Sequence, residues 1–307
     1  MRTPASPATR LRPHPGSVPP GAPLTPGEGP RTWNAGMAPA RCGGGAGSAP
    51  PAGGAVPTLA LPGLIALATL LLCTALRAQE LPPSQIVARI DSTERVAASD
   101  GQYRQVITTS GGRTRTLEMR AYSRDRNDKQ LLIYTGPRRV KGDKILMLNE
   151  GDDIWFYTPK TDRVRHLASH ARRRKVQGSD FAYEDMAGGS IEEDYTYALV
   201  GREEVDGVSC HKFELIPTES GPYYERLLLW ADAAKYVTRR IDYFEEGELL
   251  KRLTTSDLRE IEGHWYAMKM VMANLQEGGQ TAMETLQISF DVELPDDLFT
   301  TANLKRR

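Results

Sequence analysis

The stretch GDDIWFYTPKTDRVRHLASHARRRK, residues 151–175, joins an apolar strand to a run of arginines and histidines. Residues 154–157 are apolar or aromatic at four consecutive positions, and residues 227–230 have the same character. Successive side chains of a strand point to opposite faces of the sheet, so both faces of these strands need an apolar neighbour. A flat sheet with one solvated face lacks that neighbour. The sequence therefore predicts a curved sheet wrapped around a cavity or a covering helix.

The rest of the chain after residue 96 supports an antiparallel sheet. Leu286, Ile288, Phe290 and Val292 alternate with polar residues, which is the pattern of a half-buried strand. Turn signals separate such runs, at residues 110–112, 142–143, 206–207, 246–247 and 278–279. Because no long helical pattern lies between the strands, consecutive hairpins are favoured over a parallel fold. Three short helices are predicted, beginning at Pro83 and over residues 167–175 and 191–195.

The first 78 residues are not expected to form part of this fold. Residues 1–58 contain 13 of the 21 prolines, which is typical of a disordered extension. Residues 59–78 form an apolar run that ends in Arg77 and small residues, which predicts a signal peptide, with an uncleaved membrane anchor as the alternative. Met37 would be a more usual start for such a peptide. A lipidated Cys73 is disfavoured because Leu72 precedes it.

The expected mature domain, residues 79–307, is net acidic. Residues 1–78 hold six of the 39 basic residues and one of the 39 acidic residues, which leaves 33 and 38 and a formal charge of −5. This balance gives no general reason to expect a nucleic-acid partner. Cys210 is the one cysteine of the domain, so an intramolecular disulfide is excluded there. A signal peptide would direct this domain out of the cytoplasm.

Sequence motifs for catalysis, a metal or a cofactor are missing. The stretch of residues 207–211, GVSCH, lacks the last glycine of a nucleophile elbow, and its Cys210 and His211 are adjacent on a predicted strand, so they point to opposite faces. His166 and His170 would share a face of a helix, as zinc ligands do, but no acidic residue lies between them and arginines surround them. The sequence predicts no catalytic residue, no metal site and no cofactor.

The basic cluster has three interpretations. It contains Arg163, Arg165, Arg172, Arg173 and Arg174. A solvated surface is the plain interpretation, while a contact with anionic lipid headgroups or with an acidic partner is the sharper one. Nucleic-acid binding is not predicted, because interleaved exposed aromatics and a basic domain are both missing.

The stretch of residues 151–186 resembles the LolA-like family of outer-membrane lipoprotein-sorting proteins. It has the family's aromatic strand ending in proline, then two arginines, then GSDFAYEDM at residues 178–186. The ending FDVELPDDLFT, residues 290–300, is also similar to the family's last strand. The resemblance implies an α+β fold, namely a strongly curved antiparallel sheet (an incomplete β-barrel) with a few helices covering the open side.

The same resemblance implies transport without catalysis. Such proteins hold acyl chains of lipoproteins or lipids in an apolar cavity and carry them across the periplasm towards the outer membrane. Some are associated with inner-membrane exporters, so a scaffold that docks on an exporter without carrying cargo is the alternative. A periplasmic hydrolase is a third hypothesis, for which the sequence offers no site.

Methionines are the candidate lining of that cavity, because their unbranched, polarizable side chains adapt to different chains. Met268, Met270 and Met272 recur at period two and are predicted to share one face of a strand with Tyr266. The full predicted lining comprises Met119, Met147, Trp155, Tyr157, Tyr266, Met268, Met270 and Met272. The alternative for each methionine is that it fills a solid core.

Overall fold

The structure, a computed structural model, describes residues 81–306, which fall within one of the two units of the chain, Ala75–Arg307. The predicted extension at residues 1–58 and the predicted signal peptide at residues 59–78 lie outside the described residues. In the described part of the chain, thirteen strands form one antiparallel sheet, as the alternating patterns predicted. The strands are β1 (Ala98–Thr109), β2 (Thr114–Arg124), β3 (Lys129–Gly136), β4 (Lys144–Leu148), β5 (Asp153–Thr158), β6 (Arg163–Leu167), β7 (Tyr195–Val205), β8 (Val208–Pro217), β9 (Arg226–Asp232), β10 (Thr238–Glu245), β11 (Glu248–Ile261), β12 (His264–Asn274) and β13 (Gly279–Phe290).

The sheet consists of two meanders that are joined through the first and last strands, β1 and β13. Strands β1 to β6 pair in sequence, strands β7 to β13 pair in sequence, and β1 pairs with β13 in the middle of the sheet. The two edges are therefore β6 and β7, and the sheet is open rather than closed. Residues 168–194, which we call the crossing segment, connect one edge to the other.

Several hairpins have the tightest connection that an antiparallel pair allows. Residues 206–207, 246–247 and 262–263 are each an acidic residue followed by glycine, and both positions have positive φ. This is the conformation of a two-residue type I′ turn, whose twist matches that of the strands. Two of the three were predicted as turns from the sequence.

Within residues 81–306, three α-helices accompany the sheet: α1 (Pro83–Glu94), α2 (Tyr183–Ala187) and α3 (Ile191–Asp194). Helix α1 begins with proline in its first turn, where the missing N–H costs nothing, and it buries Ile86, Val87 and Ile90. The helix predicted over residues 167–175 is wrong. Leu167 instead ends β6 by pairing with Ile154, and Ser169–Ala171 is a single 3₁₀ turn.

The two faces of the sheet are covered by different parts of the chain. The inner face carries α1 and the crossing segment, and its buried residues form two apolar clusters, one centred on β2–β5 and one on α1 with β8–β10. The outer face of β3–β5 is covered by the C-terminal 3₁₀ turns, which contribute Phe299 and Leu304 to a third cluster. This explains why residues 154–157 are apolar on both faces: Ile154 and Phe156 pack inside, and Trp155 and Tyr157 pack under the C-terminal turns.

Candidate functional site: the internal cavity

A cavity of about 380 Å³ lies between the inner face of the sheet and the helices that cover it. Strands β1, β2, β3, β10, β11, β12 and β13 supply its wall, while α1 and the crossing segment supply its roof. The side chains that line it are mainly apolar and aromatic. Among them are Met119, Leu132, Ile241, Leu253, Met270, Met272, Met283, Ile288 and Phe290.

Four of the predicted lining residues lie on this wall: Met119, Tyr266, Met270 and Met272. Met270 and Met272 are on the same face of β12, as their period-two spacing predicted, and Met272 is fully buried. Met283, on the neighbouring strand, pairs directly with Met270 and completes the methionine-rich part of the wall. Their role as ligand contacts stays a prediction.

Met268 does not continue the methionine stripe. Pairing of β12 with β13 covers residues 269–273 and stops before Met268, and Asp257 on β11, at the same level, has a positive φ of 53°. The alternation of side chains is interrupted there, so Ala267 faces the cavity and Met268 packs elsewhere. The assignment of Met268 to the cavity wall is therefore corrected.

Met147, Trp155 and Tyr157 are also outside the cavity. Met147 faces inwards, but the crossing segment covers β4 closely, so Met147 is fully buried in a solid cluster with Val176 and Ala187. The side chains of Trp155 and Tyr157, on β5, point to the outer face of the sheet, towards Phe299. The sequence could not separate these cases, since both strands are apolar on both faces.

The crossing segment is anchored over the cavity by a buried ion pair. The Lys251 Nζ donates to Asp185 Oδ2 at 2.5 Å, and both side chains are almost inaccessible, at 6% and 1% exposure. Asp185 also accepts hydrogen bonds from the Tyr224 hydroxyl, at 2.6 Å, and from the backbone N–H of Ala182, at 2.6 Å. The Lys251 ammonium lies over the rings of Tyr224 and Tyr243. This network holds α2, and with it Met186, against β10, β11 and the loop that precedes β9.

Met186 and Phe181 are lining residues that the sequence analysis missed. Both belong to the GSDFAYEDM motif, and Met186 contacts both apolar clusters of the inner face. The motif was noted as a family signature, yet its position opposite the sheet depends on long-range contacts. One such contact joins Asp180 to Thr281 on β13, where the Thr281 hydroxyl donates to the carboxylate at 2.8 Å.

One part of the wall is polar. Tyr103 on β1 and Tyr266 on β12 both line the cavity, and burial raises the pKa of each phenol. The ring of Tyr103 lies over Gly101 so closely that a Cβ at Gly101 would be 2.4 Å from the Tyr103 hydroxyl. Gly101 is therefore required for this ring position.

The predicted basic cluster is divided in two by the fold. Arg172 pairs with Asp152 at 2.9 Å, and Arg173 pairs with Glu245 and stacks on Tyr223. Arg163, Arg165 and Arg174 have no carboxylate partner within residues 81–306. Arg163 and Arg165 lie on the inner face of the edge strand β6. Burial raises the pKa of Tyr183, and Arg165 and Arg174 lie close enough to oppose that rise in part.

Further cations extend this unpaired group, and we call the whole set the cationic rim. The β3–β4 loop touches the β5–β6 turn, since a Cβ at Gly142 would lie 3.1 Å from Pro159. Every member is solvent-exposed, and none has a carboxylate within salt-bridge distance in the described part of the chain. Its members are Arg138, Arg139, Lys141, Lys160, Arg163, Arg165 and Arg174.

The fold does not bring His166 and His170 together as a metal-binding pair. His166 is on β6 and stacks on Trp155, whereas His170 lies in the following 3₁₀ turn, so the helical spacing needed for a zinc pair does not form. Cys210 is a buried free thiol whose pKa burial raises to about 11. Among residues 81–306 no group of three or more His, Cys, Asp or Glu side chains could hold a metal ion. None of the helices described there is long and apolar enough to cross a membrane.

Comparison with known families identifies the fold. A family model described as that of an uncharacterized protein matches residues 126–306, which is 181 of the 307 residues. The chain belongs to this family, DUF1329. A search of curated proteins gives no match.

Solved structures from three organisms share the DUF1329 chain's fold. A putative outer membrane lipoprotein-sorting protein domain from Vibrio parahaemolyticus is 28% identical, with a TM-score of 0.67, and the match covers 72% of this chain and 97% of that one. A DUF1329 family protein from Desulfovibrio piger is 27% identical, with a TM-score of 0.67 and 72% and 96% coverage. A LolA superfamily protein from Nitrosomonas europaea is 19% identical, with a TM-score of 0.62 and 73% and 99% coverage. The open curved sheet predicted from the sequence is thus confirmed as a LolA-like fold.

Proposed function

We propose that this protein is a periplasmic carrier that binds acyl chains of lipoproteins or lipids in its internal cavity and helps to move them towards the outer membrane. The observation that carries the proposal is the cavity of about 380 Å³, which lies between the sheet and its covering helices and is lined mainly by apolar side chains. Small-molecule sites have volumes of about 300–1,000 Å³ and a mostly apolar lining with a few polar groups. The cavity has both properties.

The energetics of the wall favour an acyl chain. Each methylene moved from water into an apolar site contributes about 0.8 kcal/mol. Met119, Met270, Met272 and Met283 give the wall side chains with several rotatable bonds, which can accommodate chains of different shape. The lining of the cavity is mainly apolar, so we propose binding and release rather than catalysis.

The similar structures support this choice. The domain from Vibrio parahaemolyticus carries the description of an outer membrane lipoprotein-sorting protein, at 28% identity over almost its whole length. A carrier of that kind would meet its cargo and its acceptor in the periplasm, which agrees with the signal peptide predicted at residues 59–78. A dedicated inner-membrane exporter as donor remains part of the proposal.

The decisive experiment fills the cavity and measures acyl binding. Ala121 lines the cavity on β2, and Ala282 is half-buried on the outer face of β13. We expect Ala121→Phe to reduce binding of a fluorescent long-chain fatty acid at least tenfold, whereas Ala282→Phe leaves binding near the wild-type value. Native mass spectrometry of the wild type should show co-purified acylated species. Equal binding by both variants, together with an empty wild-type protein, would favour the non-carrying scaffold.

The cationic rim is the proposed contact for anionic headgroups. Each Lys or Arg close to an anionic membrane surface contributes about 1 kcal/mol of attraction. Arg172 and Arg173, which were predicted as part of this contact, already have acidic partners, so Arg138, Arg139 and Lys141 replace them in the proposal. Neutralising these three residues to Gln should weaken binding to phosphatidylglycerol vesicles by about a hundredfold at low salt.

The control for the rim carries the same change of charge on the outer face of the sheet. Arg104, Arg120 and Lys269 are exposed on β1, β2 and β12, with parity opposite to the cavity wall. Their triple replacement by Gln should leave vesicle binding within about twofold of the wild type. A loss as large as that of the rim variant would mean that net charge alone sets membrane affinity.

A further inference from the structure

Gln105 is a buried polar side chain that the fold leaves without any partner. It lies in the middle of β1, is 0% exposed, and neither its amide nitrogen nor its amide oxygen has a hydrogen-bond partner among the described residues. An unpaired buried amide costs the folded protein on the order of 1–3 kcal/mol. A glutamine at this position therefore destabilises the folded protein.

The position of Gln105 relates it to the cavity. Its side chain shares the inner face of β1 with Tyr103, which lines the cavity, and with Ile107. Across the sheet it faces Leu117 on β2 and Met283 on β13, and Met283 lines the cavity as well. Two residues further along β1, Ile107 pairs with Thr281 on β13, and Thr281 is hydrogen-bonded to Asp180 of the crossing segment. Gln105 thus lies at the border between the cavity and the solid core.

The groups beside Gln105 explain why its amide has no partner within the fold. Its neighbours in the sheet, Leu117 and Met283, have no strong hydrogen-bonding group. Gln105 does not itself line the cavity, but Met283 does, and methionine moves between rotamers easily. An acyl chain that enters the cavity and displaces Met283 would come into contact with the Gln105 amide. Such a chain would have to bring its own polar group to that depth.

We propose that Gln105 recognises the carbonyl group of an acyl ester or amide within the cavity, and that the preferred cargo is therefore an acylated molecule rather than a plain hydrocarbon chain. The Gln105 Nε2 donates to the carbonyl oxygen of the linkage, and the apolar wall takes the chain. This inference rests on the proposed carrier function and adds a polar requirement to it. A hydrogen bond that forms only with such a ligand recovers the cost of the buried amide.

The experiment compares two ligands of the same length that differ in the carbonyl. Methyl palmitate and hexadecyl methyl ether are titrated as competitors of a fluorescent fatty acid. We expect the wild type to prefer the ester about tenfold, which is the effect of one hydrogen bond. In Gln105→Met, which keeps the shape and removes the amide, the preference should fall to about onefold. Gln102→Met, the same change at an exposed position of β1, should keep the wild-type preference.

A second measurement excludes a purely structural role. Gln105→Met should raise the melting temperature of the ligand-free protein by about 3 °C, because it removes an unpaired buried amide. A lower melting temperature, or an unchanged ester preference in Gln105→Met, would overturn the inference. Equal affinity of the wild type for both ligands would overturn it while leaving the carrier function intact. Failure of both ligands to bind the wild type would instead reject the carrier function itself.

Discussion

The inner and outer faces of the sheet are covered in different ways: the outer cover is packed solidly, whereas the inner cover leaves a cavity. On the outer face of β3–β5, Leu131, Leu146 and Tyr157 pack against Phe299 and Leu304 of the C-terminal turns, and the cluster is filled. On the inner face, α1 and the crossing segment are held away from the sheet by specific contacts, and a cavity of about 380 Å³ remains. Apolar strands thus accept either a solid cover or an empty space, depending on what the rest of the chain lays over them.

The roof is held over the cavity by buried charged contacts in addition to apolar packing, whereas the charged contacts of the C-terminal turns, such as Arg124 with Asp296, involve an exposed carboxylate. Asp185 and Lys251 pair beneath α2, and Asp91 of α1 accepts hydrogen bonds from the Ser190 hydroxyl and from the backbone N–H groups of Ile191 and Glu192. Directional bonds can fix a helix at a set height above a sheet. Apolar packing alone would draw the two together and close the space.

The strongest test of this difference removes one charge of the roof. Lys251→Met leaves Asp185 buried without its cation, and breaking a buried pair in this way costs about 3–5 kcal/mol. We expect that decrease in the free energy of unfolding in urea. Lys269→Met, an exposed lysine on β12, is the matched control and should change stability by less than about 0.5 kcal/mol. A small effect of Lys251→Met would mean that packing, and not the ion pair, supports the roof.

The next test compares truncations on the two faces. Phe299→Ala removes a large side chain from a filled cluster and should lower the free energy of unfolding by about 3–4 kcal/mol. Met270→Ala removes a side chain that already borders empty space, so it should cost only about 1–2 kcal/mol. Both values come from the same denaturation series. Equal losses would indicate that the inner face is as tightly packed as the outer one.

The smallest expected effect concerns a carboxylate at the end of α3. Burial, together with Glu150 and Glu193, raises the pKa of Asp194 to about 6, against the partly opposing effect of Arg95 and Arg172. The folded protein therefore binds this proton more tightly than the unfolded chain does. The stabilisation is fully present below pH about 4 and is lost as the pH rises through about 6.

Replacing Asp194 by Asn should remove this pH dependence. Solvent screening reduces the size of this effect. In the wild type, the contribution of Asp194 to the free energy of unfolding should decrease by about 1 kcal/mol between pH 4 and pH 7, and Asp194→Asn should lack that decrease. Asp206→Asn, in the exposed β7–β8 turn, should keep the wild-type profile. An unaltered profile in Asp194→Asn would assign the effect to other groups.

Much of the fold could be predicted because its signals are local. The acidic-glycine turns, the alternation of β13 and the first helix all depend on neighbouring residues, and the structure confirms them. Even here a bulge changes one detail: β1 and β13 shift register at Tyr103, so Leu286 turns outwards and is half exposed, while Ile288 and Phe290 stay buried. The helix expected over residues 167–175 failed for the opposite reason, because pairing with β5 overrides a weak local preference.

The amino-acid sequence by itself determined that the chain forms antiparallel hairpins and that several strands need apolar cover on both sides, since these properties follow from side-chain parity and turn conformation. It also singled out Met270 and Met272 as neighbours on one strand face. Only the tertiary structure decided which apolar surfaces are packed and which border the cavity, and which arginines keep an unpaired charge. Those outcomes depend on residues far apart in the chain, such as Asp185 with Lys251 and Tyr157 with Phe299, whose contacts exist only when the sheet is complete.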